Sequence, residues 1–398
     1  MATAVHEEAE ALSGEIAELR HSIHAEPEIG LDLPKTQHKV VTALAGLPLE
    51  ISTGRALTSV TAVLRGGQPG PTVLLRGDMD ALPVTERTGL AYSSAIPGAM
   101  HACGHDLHTS MLVGAAKLLS ARQAELPGNV IFMFQPGEES VGGARVMIDE
   151  GVLDAAGERP AAAYALHVAS GLLPLGVAAS KAGACMAAAD KLHVTVRGRG
   201  GHGAQPHHAA DPIPVACEIV TALQALVTRK FDVFDPVVIT VGTFHAGTVD
   251  NVIPDDANFV ATVRTFSPAA RNLVKETSVK VARDIAGAHG LGADVEYEEV
   301  YPVTINDGGE FEFARQTVGE IFGEHRFVTA PNPLTGSEDF SYVLEQVPGA
   351  FVMLGACPPE TDALSAPFNH SAEAVFDDRI IADGVALYAE LALRRLTA

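Results

Sequence analysis

Apolar residues recur every three to four positions through 7–24 and 34–44, which predicts two amphipathic helices near the start of the chain. Four shorter apolar runs follow at 60–64, 72–75, 130–134 and 161–166, each of strand length and each predicting a buried strand. A helix from 106 to 119 lies between the second and third runs, and this alternation is the mark of α/β architecture. Beyond the small-residue stretch 183–189 the pattern changes to strand 191–196, helix 214–228, strands 237–244 and 258–265, helix 268–288 and strand 293–300. That β-α-β-β-α-β order is ferredoxin-like. A helix at 310–322, an apolar strand at 350–354 and a last helix at 377–395 then resume the first pattern. The expected fold is therefore α/β, with a mixed-sheet domain made of 1–185 and 302–398 and a ferredoxin-like domain, 186–301, inserted in it.

Composition supports this division. A chain of 398 residues exceeds what one core usually serves, and 47% hydrophobic residues suffice for two. With 27 Lys and Arg against 49 Asp and Glu, the net charge of -22 argues against a nucleic-acid or anionic-membrane partner, so an anionic substrate must meet local positive charge or metal. The opening MATAVHEEAE is acidic and lacks an apolar leader core, and no apolar run reaches spanning length, so a cytoplasmic protein is expected. Cys103, Cys185, Cys217 and Cys357 are far apart and form no CxxC pair, which disfavours a disulfide framework or structural zinc knuckle.

The chemistry gathers where apolar runs stop. QPGEES (135–140) follows the run 130–134, Asp78 and Asp80 follow 72–75, and His167 follows 161–166. Parallel strands present their C-terminal ends along one edge, where open α/β sheets bind ligands, so these groups can converge without being sequence neighbours. Cys103 and His105 in MHACGHDLH precede a helix and offer thiolate and imidazole to a borderline-soft cation. Adjacent Glu138 and Glu139 point in different directions, so one can bind metal while the other faces a water. With His167 and His370 the set reads as a metal site with a built-in base. The bland alternatives are an inert buried cysteine, a solvated acidic turn, a satisfied core histidine at 167 and an ordinary loop histidine at 370. His101, Asp106 and His108 around Cys103 weigh against the first. Gly198, Gly200 and Gly203 match GxGxxG, but HGAQPHH intervenes before any helix, so the glycines read as a tight loop presenting His202 rather than a dinucleotide fingerprint. Asn251 suits a hairpin cap and Arg264 a structural ion pair as readily as a substrate contact.

RGDMDALP, MHACGHDLHTSMLVGA, QPGEE, LHV around His167, GRGGHGAQPHH, DNVIPD, GSEDFSYV and RHSIHAEPEIG, in this order over nearly the whole chain once the last is put first, resemble one family. It is the hippurate hydrolase and auxin-conjugate amidohydrolase branch of the dinuclear metal aminoacylase and carboxypeptidase clan. The chain departs from its pattern in reading PGEE for PAEE and FNHS at His370. The resemblance implies hydrolysis of N-acyl amino acids, hippurate-like, N-acetyl or indole-acetyl conjugates, to a carboxylic acid and a free amino acid. It implies two divalent ions per chain, Zn, Mn, Co or Ni, held by Cys103, His105, Glu139, His167 and His370. Glu138 is then the general base acting on a metal-bound water, Asp80 a supporting group, and His202 a donor reaching the partner's site in a homodimer formed through the inserted lid domain. Asn251, Arg264, Gly336 and Ser337 are candidates for the substrate carboxylate. A dipeptidase or carboxypeptidase on the same scaffold is the nearest alternative. A cysteine hydrolase using Cys103, a nucleotide-dependent oxidoreductase on the glycine loop and a non-catalytic binding protein are the others.

Overall fold

In the computed structural model the apolar runs assemble around one central strand, Gln68–Asp78, which is parallel to Pro127–Gln135 on one side and Ala162–Pro174 on the other. Residues 4–139 and 141–398 are described; the first three residues of the acidic opening and Ser140, which closes QPGEES, lie outside them. The sheet has eight strands in the order Leu49–Thr53, Val60–Arg65, Pro127–Gln135, Gln68–Asp78, Ala162–Pro174, Gly349–Cys357, Ala178–Ser180, Phe327–Thr329. It is mixed, because Val60–Arg65 runs antiparallel to both its neighbours. Val130 to Phe134 and Val73 to Leu75 have no solvent exposure at all, so the inner strands are covered on both faces and read as unbroken apolar runs. The edge strand Leu49–Thr53 is largely exposed, and the apolar pattern gave no sign of it.

Helices Ala4–His24, His105–Ser120 and Ile380–Leu396 pack on one another and on the inner strands. Every residue of His105–Ser120 except Lys117 is buried, the behaviour of a helix that is apolar or small on all sides. Its one strongly charged buried residue, Asp106, takes Arg20 Nε at 2.7 Å and His24 Nδ1 at 2.8 Å. Arg20 also reaches Asp378 at 2.7 Å and Tyr92 Oη at 2.6 Å. The RHSIH segment is thus an ion cluster that ties the first helix to the start of the buried one.

Burial opposes charge on His24, but Asp106 and Glu86 outweigh it and raise the imidazole from 6.5 to about 9. The stability this contributes is complete below the unfolded value of 6.5 and is lost as the pH rises through about 9. The difference in melting temperature between the protein and a His24→Gln variant is therefore expected to be widest on the acid side of 6.5 and to close toward 9. A difference that stays constant across that interval would show that no buried imidazolium contributes.

One expected element differs in extent. The strand at 161–166 does not stop before His167 but runs as Ala162–Pro174. Its pairing with Gln68–Asp78 ends at Arg76 and Ala165, while on the other side it stays paired with Gly349–Cys357 past His167 opposite Met353. Tyr388 Oη bridges the parting, donating to Arg76 O at 2.6 Å and accepting from Leu166 N at 3.1 Å.

By internal contacts the chain forms two compact units, one running to Cys185 and resuming over Ile305–Asn332 and Asp339–Ala398, the other Met186–Thr304 with Pro333–Glu338. The second unit holds an antiparallel sheet in the order Val237–Ala246, Asp256–Thr265, Ala188–Arg197, Gly292–Tyr301, the ferredoxin-like arrangement. Asp256–Thr265 alternates strictly between half-buried and buried positions, and its buried face packs with helices Pro212–Lys230 and Pro268–Ala288. Among the described residues no helix is long and apolar enough to cross a membrane.

Candidate metal centre

The central strand ends at Asp78, with Asp80 two residues beyond, and the neighbouring strand ends at Gln135, just before Glu138 and Glu139. Two glycines make the turns possible. Gly104, at φ 80°, caps the helix that opens with His105, and a Cβ there would lie 2.4 Å from Val168 Cγ2. Gly137, at φ 74°, would meet Leu31 Cδ2 at 2.3 Å. Both turns direct the residues after them inward.

Five side chains converge as two overlapping groups that share Cys103. Cys103, His105 and His167 have donor atoms within 4.8 Å of one another, and so have Cys103, Glu139 and His370. Glu138 joins through a third group with His105 and Glu139. His167 donates Nδ1–H to Val168 O at 2.9 Å, which leaves the Nε2 lone pair facing Cys103 Sγ at 3.5 Å. That tautomer is the one metal-ligating histidines adopt. Burial and then His108 hold His167 well below the usual imidazole range, so the lone pair is available at neutral pH. His105 is fully buried and neither ring nitrogen makes a hydrogen bond among the described residues; Nδ1 lies 3.5 Å from Asp80, and Nε2 lies 3.7 Å from Asp78 and 3.9 Å from Glu139. Glu139 Oε1 is likewise buried without a hydrogen bond among the described residues, its neighbour being His370 Nε2 in an ion pair at 3.3 Å. Buried polar atoms left without hydrogen bonds in this way, in a set of thiolate, imidazole and carboxylate, fit divalent transition-metal ions.

Without a cation the groups compensate one another. Cys103 and Glu139 raise His370 to about 10. Burial raises Glu139, but His370 and His105 outweigh it and hold the carboxyl below its ordinary value. Cation binding must therefore displace protons from this cluster. Asp80 is placed as a support: Oδ1 accepts the Glu138 amide at 2.9 Å and Oδ2 the Glu139 amide at 3.0 Å, so one carboxylate sets the backbone of both glutamates.

The other expected residues belong to the second unit. His202 lies on the short strand Gly201–His202, paired with Val252–Ile253, and accepts Ala204 N at its Nδ1, 3.1 Å away. Its neutral form then carries the proton on Nε2, an exposed donor. Asn251 O accepts Gly203 N at 2.8 Å, and Gly203, Gly200 and Gly198 each have backbone where a Cβ would go, so the glycine motif closes a loop and opens no helix. Arg264 is half-buried, bonded to Thr262 Oγ1 at 2.7 Å and to Val263 O at 3.1 Å, and makes no ion pair among the described residues. Burial lowers its pKa. Gly336 is exposed and Ser337 half-buried.

Residues 74–394 match the model of peptidase family M20/M25/M40. The chain belongs to this family. It is 36% identical over 383 residues to thermostable carboxypeptidase 1 of Saccharolobus solfataricus, covering 95% of each chain. It is also 36% identical over 388 residues to the hippurate hydrolase of Campylobacter jejuni, covering 97% of each. The crystal structure of the Bacillus subtilis YXEP protein, described as a dinuclear metal binding peptidase from the M20 family, superposes with a TM-score of 0.84 at 32% identity, over 98% of this chain and 99% of that one. This chain is accordingly a metal-dependent amidohydrolase or peptidase.

Several residues of this family member support the centre although the sequence assigned them no role in it. Asp78 is occupied by Arg76 Nη1 at 2.6 Å and His108 Nδ1 at 2.5 Å, and burial is outweighed by the Arg76 guanidinium, by His105 and by the His108 hydrogen bond, so its pKa falls well below the carboxylate range. His108 Nε2 in turn accepts Val168 N at 2.7 Å, one residue past His167. Arg76 also reaches Gln135 Oε1 at 2.9 Å and Asp339 Oδ1 at 3.0 Å, so Asp339 of the GSEDF loop is spent on a buried ion network. The signal for His108 was its spacing of three from His105, which puts both on one helix face. His101, grouped with Cys103 in sequence, falls in none of the donor groups; its ring lies 6.1 Å from that of His24, and burial lowers it to about 3.

Proposed function

We propose that the protein hydrolyses the amide bond of N-acyl amino acids at a dinuclear metal centre held by Cys103, His105, Glu139, His167 and His370. The observation that carries this reading is the pair of overlapping donor groups sharing Cys103, with buried atoms on His105 and Glu139 that make no hydrogen bond among the described residues. Divalent ions, when bound, supply Lewis acidity toward the scissile carbonyl and acidify water at neutral pH. Glu138 takes a proton from the attacking water and returns it to the leaving nitrogen, a general base turned acid. Asp80 keeps Glu138 and Glu139 in place through their amides. His202, with its Nε2–H fixed by Ala204, donates to the developing oxyanion, and we assign it to the partner's site in a homodimer formed through the inserted domain 186–301. Arg264, Asn251, Gly336 and Ser337 hold the substrate carboxylate; the absence of an ion pair on Arg264 among the described residues suits that role. The four free cysteines suit a reducing, cytoplasmic compartment. A carboxypeptidase is the second reading, favoured by the equal identity to thermostable carboxypeptidase 1.

Metal analysis is expected to find about two ions per chain, and chelation to abolish hydrolysis that Zn, Mn, Co or Ni then restores. Hydrolysis rates on N-acetyl, N-benzoyl and indole-acetyl amino acids, set beside peptides with a free C-terminus, separate the two substrate classes. Full turnover by protein shown to be metal-free would overturn both readings and favour Cys103 as a nucleophile.

A further inference from the structure

Three of the segments that carry candidate ligands meet at the side chain of Asn369. Its Nδ2 donates to Val168 O at 2.9 Å and to Cys103 O at 3.3 Å, and lies 3.7 Å from Cys103 Sγ. Its Oδ1 accepts Ser170 N at 3.0 Å, with Ser170 Oγ 3.1 Å away. The next residue, His370, donates its own amide to Ala102 O at 2.8 Å and sits at φ 73°, a left-handed conformation that a residue with a Cβ adopts at a cost. Val168 O is also the acceptor that sets the ring of His167. One amide side chain thus grips the carbonyl beneath His167, the carbonyl of Cys103 and the backbone of Ser170, from a position adjacent to His370.

We propose that Asn369 is the positioning residue that brings Cys103, His167 and His370 into register, so that the two donor groups overlap at Cys103. The inference rests on the metal-centre reading above. The geometry asks for a short side chain with a donor on one arm and an acceptor on the other. Aspartate would set a carboxylate oxygen against two carbonyls, leucine would offer neither group, and glutamine is longer by a methylene. The assignment of Nδ2 and Oδ1 is consistent on both arms, since two carbonyls face the donor and an amide faces the acceptor.

The test uses the full-length protein loaded with Co²⁺, whose bond to a cysteine thiolate gives a charge-transfer absorption that reports Cys103 directly. Affinity is measured by competition with a chromophoric chelator. For Asn369→Ala the cobalt dissociation constant is expected to rise by about 10–100-fold, the usual effect of removing a group that orients a metal ligand. The thiolate band is expected to weaken or shift even at saturating cobalt. Asn369→Asp, with the same shape and the donor arm reversed, should do at least as much, and serves alone if the alanine variant does not fold. Melting of the metal-free forms separates lost affinity from lost fold. Unchanged affinity and an unchanged band in a folded variant would overturn the proposal. If the unsubstituted protein binds cobalt with no thiolate band, the metal-centre reading itself fails, and the two failures are distinguishable.

Discussion

Glu138→Gln is expected to lower turnover by about 10²–10⁴-fold, the usual contribution of a positioned general base, with fold and metal content close to those of the unsubstituted protein. The amide keeps the shape of the side chain and cannot accept a proton. The backbone amide that Asp80 Oδ1 holds at 2.9 Å is untouched by the change. Glu139→Gln is expected to behave differently, because Glu139 shares a donor group with Cys103 and His370. It should lose metal first and activity as a consequence, so that added metal restores part of the rate. Kinetics and metal analysis on both variants decide the assignment. Reversed phenotypes would make Glu139 the base and Glu138 the ligand.

Mixing two inactive variants is expected to restore activity. Glu138→Gln and His202→Ala homodimers should each be nearly inactive, the second by about 10²–10³-fold if His202 is an oxyanion donor. If each site takes Glu138 from its own chain and His202 from its partner, a mixed dimer has one site lacking both groups and one site intact. Random reassortment makes about half of all dimers mixed, so activity should recover to about a quarter of that of the unsubstituted protein. A site assembled within one chain predicts no such rise. No recovery, once native mass spectrometry has shown that subunits exchanged, would place the action of His202 within its own chain or outside catalysis.

Much of this protein was legible from the chain alone because its central strands are covered on both faces. Val73 to Leu75 and Val130 to Phe134 have no exposure, so their runs are unbroken in sequence and the polar residues that end them stand out. The mixed α/β sheet and the small antiparallel domain followed from those runs and from the change of period after 191. The short edge strand Leu49–Thr53, largely exposed, left no such run and went unseen for that reason.

What the sequence could not contain is direction. His101 and His105 are equally close to Cys103 along the chain, yet one ring faces His24 and the other shares a donor group with Cys103 and His167, because a turn and a helix start aim successive side chains apart. Asp78 and Asp80 look alike in sequence, yet the first is consumed by Arg76 and His108 and the second holds two backbone amides, since Asp78 closes the strand and Asp80 lies beyond it where the chain turns. Asn369 gathers residues 201 and 266 positions away, so only the folded chain puts its amide among them. Local sequence therefore determined which elements form and which residues can do chemistry. The tertiary structure decided which of them meet, because strand pairing on one side and parting on the other, as at Ala165 and His167, depends on neighbours distant in the chain.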